Sequence, residues 1–230
     1  MPGEFTFCRL QYTSVRRDGS GNGWDTDFPE GERNFLIRMV ELTRTRTSMW
    51  KNGEPGYAVV RATDSELFRC PFIMATDVGE LGFMPDELEP LRDYFARGGF
   101  FWADDFWGSA AWRQFSTEIQ RLLPDYRLVQ LTEKDPLFQT LYVIPDIPQI
   151  PSINSWRSSG GRTSEMGADS ATPEAWAMVD EDGQMAVLIT HNTDISDGWE
   201  REAYDDRYFV DFSPRAYAMA VNVLVWAMSR

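Results

Sequence analysis

Short apolar runs alternate along this chain with stretches whose apolar residues recur at spacings of three and four. Four runs predict buried strands, at 5–10, 58–60, 72–75 and 100–103. The spaced stretches predict helices packed by one face, from Pro29 onwards, at 85–97 and at 109–123. Pro90 predicts a kink or a late start in the second helix. The alternation predicts an α/β fold with an open, mostly parallel sheet and helices on both faces.

The second half of the chain departs from this alternation. The stretch 145–173 carries several prolines and then Ser, Gly and Thr, which favours a long, mobile surface excursion. A strand is predicted at 127–131, and two further strands, 175–179 and 185–190, form a β-hairpin. A final helix is predicted from Pro214 onwards, and its apolar part is too short for a membrane span. We expect one domain over 1–230.

Composition and charge restrict the classes of partner. The chain has 230 residues, of which 43% are hydrophobic and 14% aromatic, as in a globular protein. Its formal charge of -14 repels phosphate backbones and anionic lipid headgroups, so neither nucleic acid nor a bare membrane is an expected partner.

The two cysteines, Cys8 and Cys70, lie beside apolar residues. Buried free thiols are the commonest outcome for such positions, while a single disulfide stays open as the alternative. Neither cysteine has the spacing of a metal ligand pair.

Candidate chemistry gathers after the predicted strands. Ligands of open parallel sheets bind beyond the carboxyl ends of the strands, and four loops follow those ends here. In these loops stand six aspartates, the single histidine, an asparagine and three tryptophans. The candidate ligand-binding residues are Trp24, Asp25, Asp27, Asp77, Asp104, Asp105, Trp107, His191, Asn192, Asp194 and Trp199.

Three kinds of chemistry fit this set, and each has a structural alternative. The carboxylates could hold a divalent metal, although no spacing identifies one, and aspartates after strands commonly cap helices. His191 with Asp104 and Asp105 could act in hydrolysis, whereas a lone histidine is commonly structural. The indoles and acids could recognise a small ligand or a protein, whereas large aromatics near strand ends are commonly core. No cofactor motif or nucleophile motif is present.

Several short motifs in a fixed order resemble a bacterial family of domains of unknown function, numbered four-one-five-nine. They stand at 7–12, 24–29, 33–35, 41–43, 67–69 with 71–72, 98–100 with 104–108, and 191–194 with 198–199. The resemblance implies a fold similar to class I glutamine amidotransferases, which belongs to the flavodoxin-like architectures. It also implies an extracytoplasmic or periplasmic location and genes placed near MoxR-type ATPases and von Willebrand A-domain proteins.

The comparison with amidotransferases bears on activity. Their nucleophilic cysteine occupies the turn after a central strand, where this sequence has Asp104 and Asp105, while His191 resembles their histidine in placement. Without the thiolate we expect no glutaminase activity. The sequence therefore predicts a non-catalytic accessory or binding protein that recognises a partner subunit or small ligand at this sheet edge. One alternative is a hydrolase that depends on a metal or on aspartate and histidine. Another is a subunit of a larger assembly that makes its contact through the 145–173 stretch.

Overall fold

A seven-stranded, mostly parallel sheet forms the centre of the computed structural model, which describes residues 4–17 and 21–229. Its order is β3-β1-β4-β6-β9-β8-β7. The strands are β1 (Phe7–Leu10), β3 (Tyr57–Val60), β4 (Phe72–Ala75), β6 (Phe100–Ala103), β7 (Arg127–Leu131), β8 (Glu174–Val179) and β9 (Met185–His191). A small antiparallel pair, β2 (Thr13–Ser14) and β5 (Leu81–Gly82), lies apart. Residues 1–3, 18–20 and 230 of the predicted single domain lie outside the described residues.

The predicted parallel core is confirmed. Strands β3, β1, β4, β6 and β9 run parallel, while β8 and β7 are antiparallel additions. The predicted β-hairpin is the β8–β9 pair. Four parallel strands in the middle of the sheet, β1, β4, β6 and β9, thus direct their carboxyl ends, and the loops that follow, to one edge.

Helices cover both faces of the sheet, as predicted. They are α1 (Glu30–Leu42), α2 (Leu88–Ala96), α3 (Gly108–Leu122), α4 (Ile153–Ser158), α5 (Asp197–Glu200) and α6 (Asp206–Ser229). The first and last pack with Trp102 and Phe72 on one face, and α2 and α3 pack with Phe101 and Ile73 on the other. None of the described helices has both the length and the apolarity that crossing a bilayer requires.

Two helix starts differ from the prediction. The last helix begins at Asp206, eight residues before Pro214, because the Asp205 carboxylate accepts the backbone N–H groups of Arg207 and Tyr208. Helix α3 starts at Gly108, and Ser109 does not cap it. The carboxylate of Asp169, distant in sequence, accepts the N–H and the hydroxyl of Ser109 instead. Helix α2 starts late, as Pro90 predicts.

The stretch 145–173 is not a bare surface excursion. It contains helix α4, and Ile150, Ile153 and Trp156 are buried in the main core. Its backbone is tied to the sheet edge, because Asp194 N–H donates to Ile150 O at 2.9 Å. Ile150, Ile153 and Trp156 recur at a spacing of three, but the prolines in this stretch favour a loop, so the pattern does not predict the helix.

Cys8 and Cys70 form a disulfide, so the expectation of free thiols is wrong and the alternative is right. Their Cα atoms lie 6.1 Å apart, within the usual range for a bridge. Cys70 precedes β4, whose residue Ile73 pairs with Cys8 on β1, so neighbouring strands bring the two sulfurs together. The disulfide closes a loop between residues separated by 62 positions.

Helices α5 and α6 meet at a contact that requires glycine. A Cβ added to Gly198 would overlap the Cβ of Ala216, and the side chain of Ile150 lies next to it. We expect Gly198→Ala to lower the free energy of unfolding by about 2 kcal/mol, since overpacked cores lose about 1 to 3 kcal/mol. Denaturant unfolding checks this. The double variant Gly198→Ala/Ala216→Gly moves the methyl group across the contact and should recover part of the loss; additive losses would contradict the contact.

Candidate functional site

The four loops that follow β1, β4, β6 and β9 meet at one sheet edge, as predicted. The hydroxyl of Thr76 donates to Thr26 O at 2.9 Å, which joins the first two loops. The N–H of Ser196 donates to Asp104 Oδ2 at 3.1 Å, which joins the other two. Ser196 links the first loop to the last through its bond to Asp27. Residues distant in sequence therefore share one rim.

Each of these loops holds one strained residue. Within the described residues, positive φ outside glycine occurs at Asp27 (65°), Asp77 (52°), Asp105 (53°) and Asn192 (58°). Aspartate and asparagine tolerate this left-handed conformation better than other side chains do, because their short polar groups bond locally. Strained backbone of this kind clusters at binding and catalytic sites.

A buried ion pair supports the rim from below. Arg9, in the middle of β1, donates to Glu32 Oε1 on α1 at 2.5 Å and to Thr76 Oγ1 at 2.7 Å. Both charged side chains are almost fully buried. The pair therefore fixes the loop after β4 against β1 and α1, and the guanidinium places one positive charge beneath the rim.

Carboxylates dominate a cleft of about 350 Å³ in this rim. Asp27, Asp105 and Asp194, all expected site residues, line it. Two further carboxylates, Asp197 on α5 and Glu165 in the 145–173 stretch, complete the set. Among the described residues, the lining holds one cationic side chain, Arg201, whose Nε bonds Glu200 at 2.6 Å and lies 3.6 Å from Asp197.

A single hydroxyl bridges two of the carboxylates. Ser196 Oγ lies 2.8 Å from Asp27 Oδ2 and 2.9 Å from Asp194 Oδ1. Asp194 Oδ1 also accepts the N–H of Asp197 at 2.9 Å, which positions the start of α5. Because a hydroxyl carries one proton, it can donate to only one of the two carboxylates at a time. The other short contact is satisfied only when a carboxyl group is protonated.

Burial raises the pKa of the aspartates that line the cleft and of Asp104 beside them. The pKa of Asp27 rises from 3.8 to about 6, and neighbouring Glu200 adds to the effect of burial. Burial also raises the pKa of Asp104, which lies beneath the cleft, to about 7. The pKa values of Asp105, Asp194 and Asp197 rise well above 3.8, first through burial and then through the charges of neighbouring carboxylates.

Three of the carboxylates could hold a metal ion. Oxygens of Asp27, Asp194 and Asp197 lie within 4.8 Å of one another. Hard divalent cations bind such oxygens at about 2.0 to 2.6 Å, so one ion could reach all three. His191 is not part of this group.

His191 ends β9 at the expected edge but its ring lies outside the carboxylate cleft. Its Nε2 is 3.2 Å from Gly108 O, and its Nδ1 is 3.5 Å from Glu174 Oε2. The ring packs on Phe106 and Trp112, with centroids 4.8 and 5.0 Å away. Successive residues of a strand point to opposite faces, so Thr190 contacts Asp104 and His191 does not. The expected cooperation of His191 with Asp104 and Asp105 is absent from the described contacts.

The remaining expected residues take supporting roles. Trp107 and Trp199 are buried, and Trp199 packs on Phe35 and Trp102, so neither offers an open face to a ligand. Asp77 Oδ2 accepts the N–H of Gly23, and Asn192 Oδ1 accepts that of Gly108. Half-buried Trp24 packs on Phe28, and Asp25 is exposed beside it.

Sequence reasoning missed Asp197 and Glu165. Asp197 follows Asp194 by three residues, the spacing of a capping aspartate and a first-turn acid, and this signal was available. No sequence pattern indicates Glu165, because the stretch that contains it is predicted to be a loop. In the structure the N–H of Ser152 donates to Glu165 Oε1 at 2.6 Å and holds this side chain at the cleft.

One protein family matches the chain. The model of the Domain of unknown function (DUF4159) matches residues 6–228. No curated protein matches. Because the match covers nearly the whole sequence, the chain belongs to the DUF4159 family.

Proposed function

We propose that this protein is a non-catalytic binding protein whose carboxylate cleft holds the positively charged group of a small ligand or of a partner subunit. The observation that carries the proposal is the charge of the cleft, in whose described lining five carboxylates face one guanidinium. A ligand that brings positive charge would supply what the side chains of the cleft lack.

Like charges confined in the cleft repel one another and lower the stability of the folded protein. Two carboxylates at the 4.8 Å limit of the cluster repel each other by about 3 kcal/mol at an effective dielectric constant of about 20. Buried charges also lose hydration. Without a cation the cluster lowers these costs by holding protons, as its raised pKa values indicate. A bound cation would offset both the repulsion between the carboxylates and their lost hydration. Proteins commonly give up stability at sites that must bind a ligand.

The described lining of the cleft holds no cysteine and no histidine, which favours a binding role over catalysis by a thiolate with an imidazole. Both cysteines are joined in the disulfide, and the single histidine of the sequence lies outside the cleft. In an amidotransferase-like fold, the nucleophile would occupy the turn after β6, where Asp105 stands with positive φ. At this turn the protein would therefore present a carboxylate to a cation in place of a nucleophilic thiolate.

Calorimetric titration tests the proposal. Two kinds of probe separate the sources of positive charge: calcium, magnesium and manganese chlorides on one side, and L-arginine amide on the other. We expect wild-type protein to bind at least one probe and Asp194→Asn to bind it at least roughly tenfold more weakly, since a lost charge contact costs more than about 1.4 kcal/mol. Asp182→Asn, an exposed residue in the β8–β9 turn, is the matched control. No binding by wild type, or equal binding by Asp194→Asn, would refute the proposal.

A metal-dependent hydrolase is the second candidate. The cluster of Asp27, Asp194 and Asp197 favours it, because a metal ion held there could activate a water molecule. Turnover of an ester, amide or glycoside panel in the presence of a bound divalent cation, lost in Asp197→Asn, would establish it. Metal binding without turnover would favour the binding protein.

The disulfide supports an extracytoplasmic location. Structural disulfides persist in oxidising compartments and are rare where thiols are kept reduced. A location outside the cytoplasm would also suit an accessory subunit of a larger assembly. Cell fractionation of the native source, with the thiol state read by alkylation, tests this; a cytoplasmic protein with two free thiols would contradict it.

A further inference from the structure

A second groove, of about 270 Å³, lies on the same rim beside the start of α3. Trp112, Asp169, Glu174 and His191 are among its lining residues, and none of them lines the carboxylate cleft. The 145–173 stretch contributes to both sites, through Glu165 in the cleft and Asp169 in the groove. The two sites are therefore separate but share one wall.

Trp112 and His191 line the groove and belong to a cluster of packed aromatic rings. The half-buried indole of Trp112 packs on the ring of His191, with centroids 5.0 Å apart, and on Trp176 at 5.1 Å. Phe106 supports His191 from below at 4.8 Å. Burial lowers the pKa of His191, so its imidazole is neutral near pH 7 and adds an aromatic surface without adding charge.

Two carboxylates stand at the rim of the groove. Glu174 has a third of its side chain exposed, and its Oε2 accepts the Trp176 indole N–H at 3.2 Å. Asp169 is exposed and accepts the N–H and hydroxyl of Ser109. These hydrogen bonds from Ser109 lower the pKa of Asp169, and the charge of Arg113 adds to this effect. The groove thus combines aromatic surface with net negative charge.

Hydrogen bonds between its walls fix the shape of the groove. Asn192, at the end of β9, accepts the N–H of Gly108 at 2.8 Å and donates to Thr172 O at 2.9 Å, so it joins both walls. Gly108 has a φ of 77°, and a Cβ there would press on Asp169 Oδ2 at 2.7 Å. Binding would therefore require little ordering of the walls.

We propose that this groove binds an organic ammonium group. Aromatic faces attract such cations through their ring quadrupoles, and neighbouring carboxylates add charge attraction. A quaternary or methylated ammonium suits the site best, because its weakly hydrated surface loses little on leaving water and gains contact with Trp112. A metal ion suits the groove less well, since among the described residues Asp169, Glu174 and His191 do not bring three ligand atoms within 4.8 Å of one another, as Asp27, Asp194 and Asp197 do.

Nuclear magnetic resonance tests this proposal with choline as the probe and its neutral isostere, with carbon in place of nitrogen, as the comparison. We expect choline to shift the indole N–H signals of Trp112 and Trp176, and to bind about five- to thirtyfold more tightly than the isostere, since a cation over an aromatic face contributes about 1 to 2 kcal/mol. Equal binding of the two compounds, or no shift with choline, would overturn the proposal.

Variants separate this groove from the carboxylate cleft. Glu174→Gln should weaken choline binding several-fold while keeping the acceptor for Trp176, and Trp112→Leu should abolish binding. Glu181→Gln, the same charge change in the exposed turn of that hairpin, is the matched control and should bind like wild type. Asp194→Asn should also leave choline binding unchanged. Loss of binding in Asp194→Asn, with Glu174→Gln unaffected, would place the ammonium group in the cleft and refute the groove.

Discussion

Replacing Cys8 and Cys70 together by alanine is expected to lower the free energy of unfolding by about 4 kcal/mol. The bridge spans 62 positions, and the loop entropy that such a bridge removes from the unfolded chain corresponds to about 4 kcal/mol near 25 °C. Denaturant unfolding of the oxidised wild type and the double variant measures the difference. The loss is large beside the total stability of a domain, commonly about 5 to 15 kcal/mol.

A reductant provides the internal control for this expectation. Dithiothreitol should weaken the wild type by a similar amount and leave the double variant unchanged. The cleft is at the carboxyl edge of the sheet, whereas Cys70 precedes β4, so cation binding should survive in the folded variant. A loss below about 1 kcal/mol, less than typical disulfides contribute, or two free thiols in the purified protein, would contradict the account.

Asp104→Asn is expected to stabilise the protein by on the order of 4 kcal/mol at pH 8 and to have little effect near pH 4. Burial raises the pKa of Asp104 from 3.8 to about 7, and one pKa unit corresponds to about 1.4 kcal/mol. As the pH rises from 4 to 7, the unfolded chain releases this proton first, so the free energy of unfolding falls through that interval and is constant above it. Asparagine is neutral at every pH and avoids the loss.

The geometry allows this substitution. An asparagine at 104 can accept the Ser196 N–H with its oxygen and donate to Thr190 Oγ1, whose hydroxyl can then turn to Ala103 O, 3.3 Å away. Unfolding curves from pH 4 to pH 8 measure the difference between Asp104→Asn and wild type, with exposed Asp182→Asn as the control. A difference that stays constant with pH, or that grows towards acid, would show that Asp104 is ionised in the folded protein.

The parallel core could be predicted from the sequence because its strands are buried on both sides. Continuous apolar runs such as Phe72–Ala75 and Phe100–Ala103 have few alternatives once turn residues bound them. The hairpin at 174–191 followed from its Asp-Gly turn. The order of the last strands of the sheet could not be predicted, since the antiparallel pairing of β7 with β8 depends on tertiary packing.

Helix starts were less predictable where the capping residue is not local. Asp169 supports the start of α3 from sixty residues away, and no local pattern contains that information. For α6, proline is usual in a first turn, but Tyr208 and Phe212 are buried before Pro214 and extend the helix. The buried Trp156 shows a different limit, because it follows Ile150 and Ile153 at a spacing of three, yet the prolines in that stretch favour a loop.

The candidate site was predictable at the level of the sheet edge and not at the level of side-chain direction. Parallel strands brought Asp27, Asp105 and Asp194 into one cleft, as their positions after strands imply. His191 has the right strand end but the wrong face, and one position along a strand decides between the two. Trp107 and Trp199 carry no pattern that distinguishes a core indole from an exposed one.

The central claim is that the carboxylate cleft is built for positive charge at the expense of stability, and the unfolding free energy of Asp194→Asn at pH 8 tests it most directly. Without added cation, this variant should be more stable than wild type, since asparagine can keep the bonds from Ser196 and Asp197 while removing one buried charge. With calcium chloride or L-arginine amide, against sodium chloride of equal ionic strength, only the wild type should gain stability. A variant less stable than wild type, with neither protein responding to either probe, would contradict the claim.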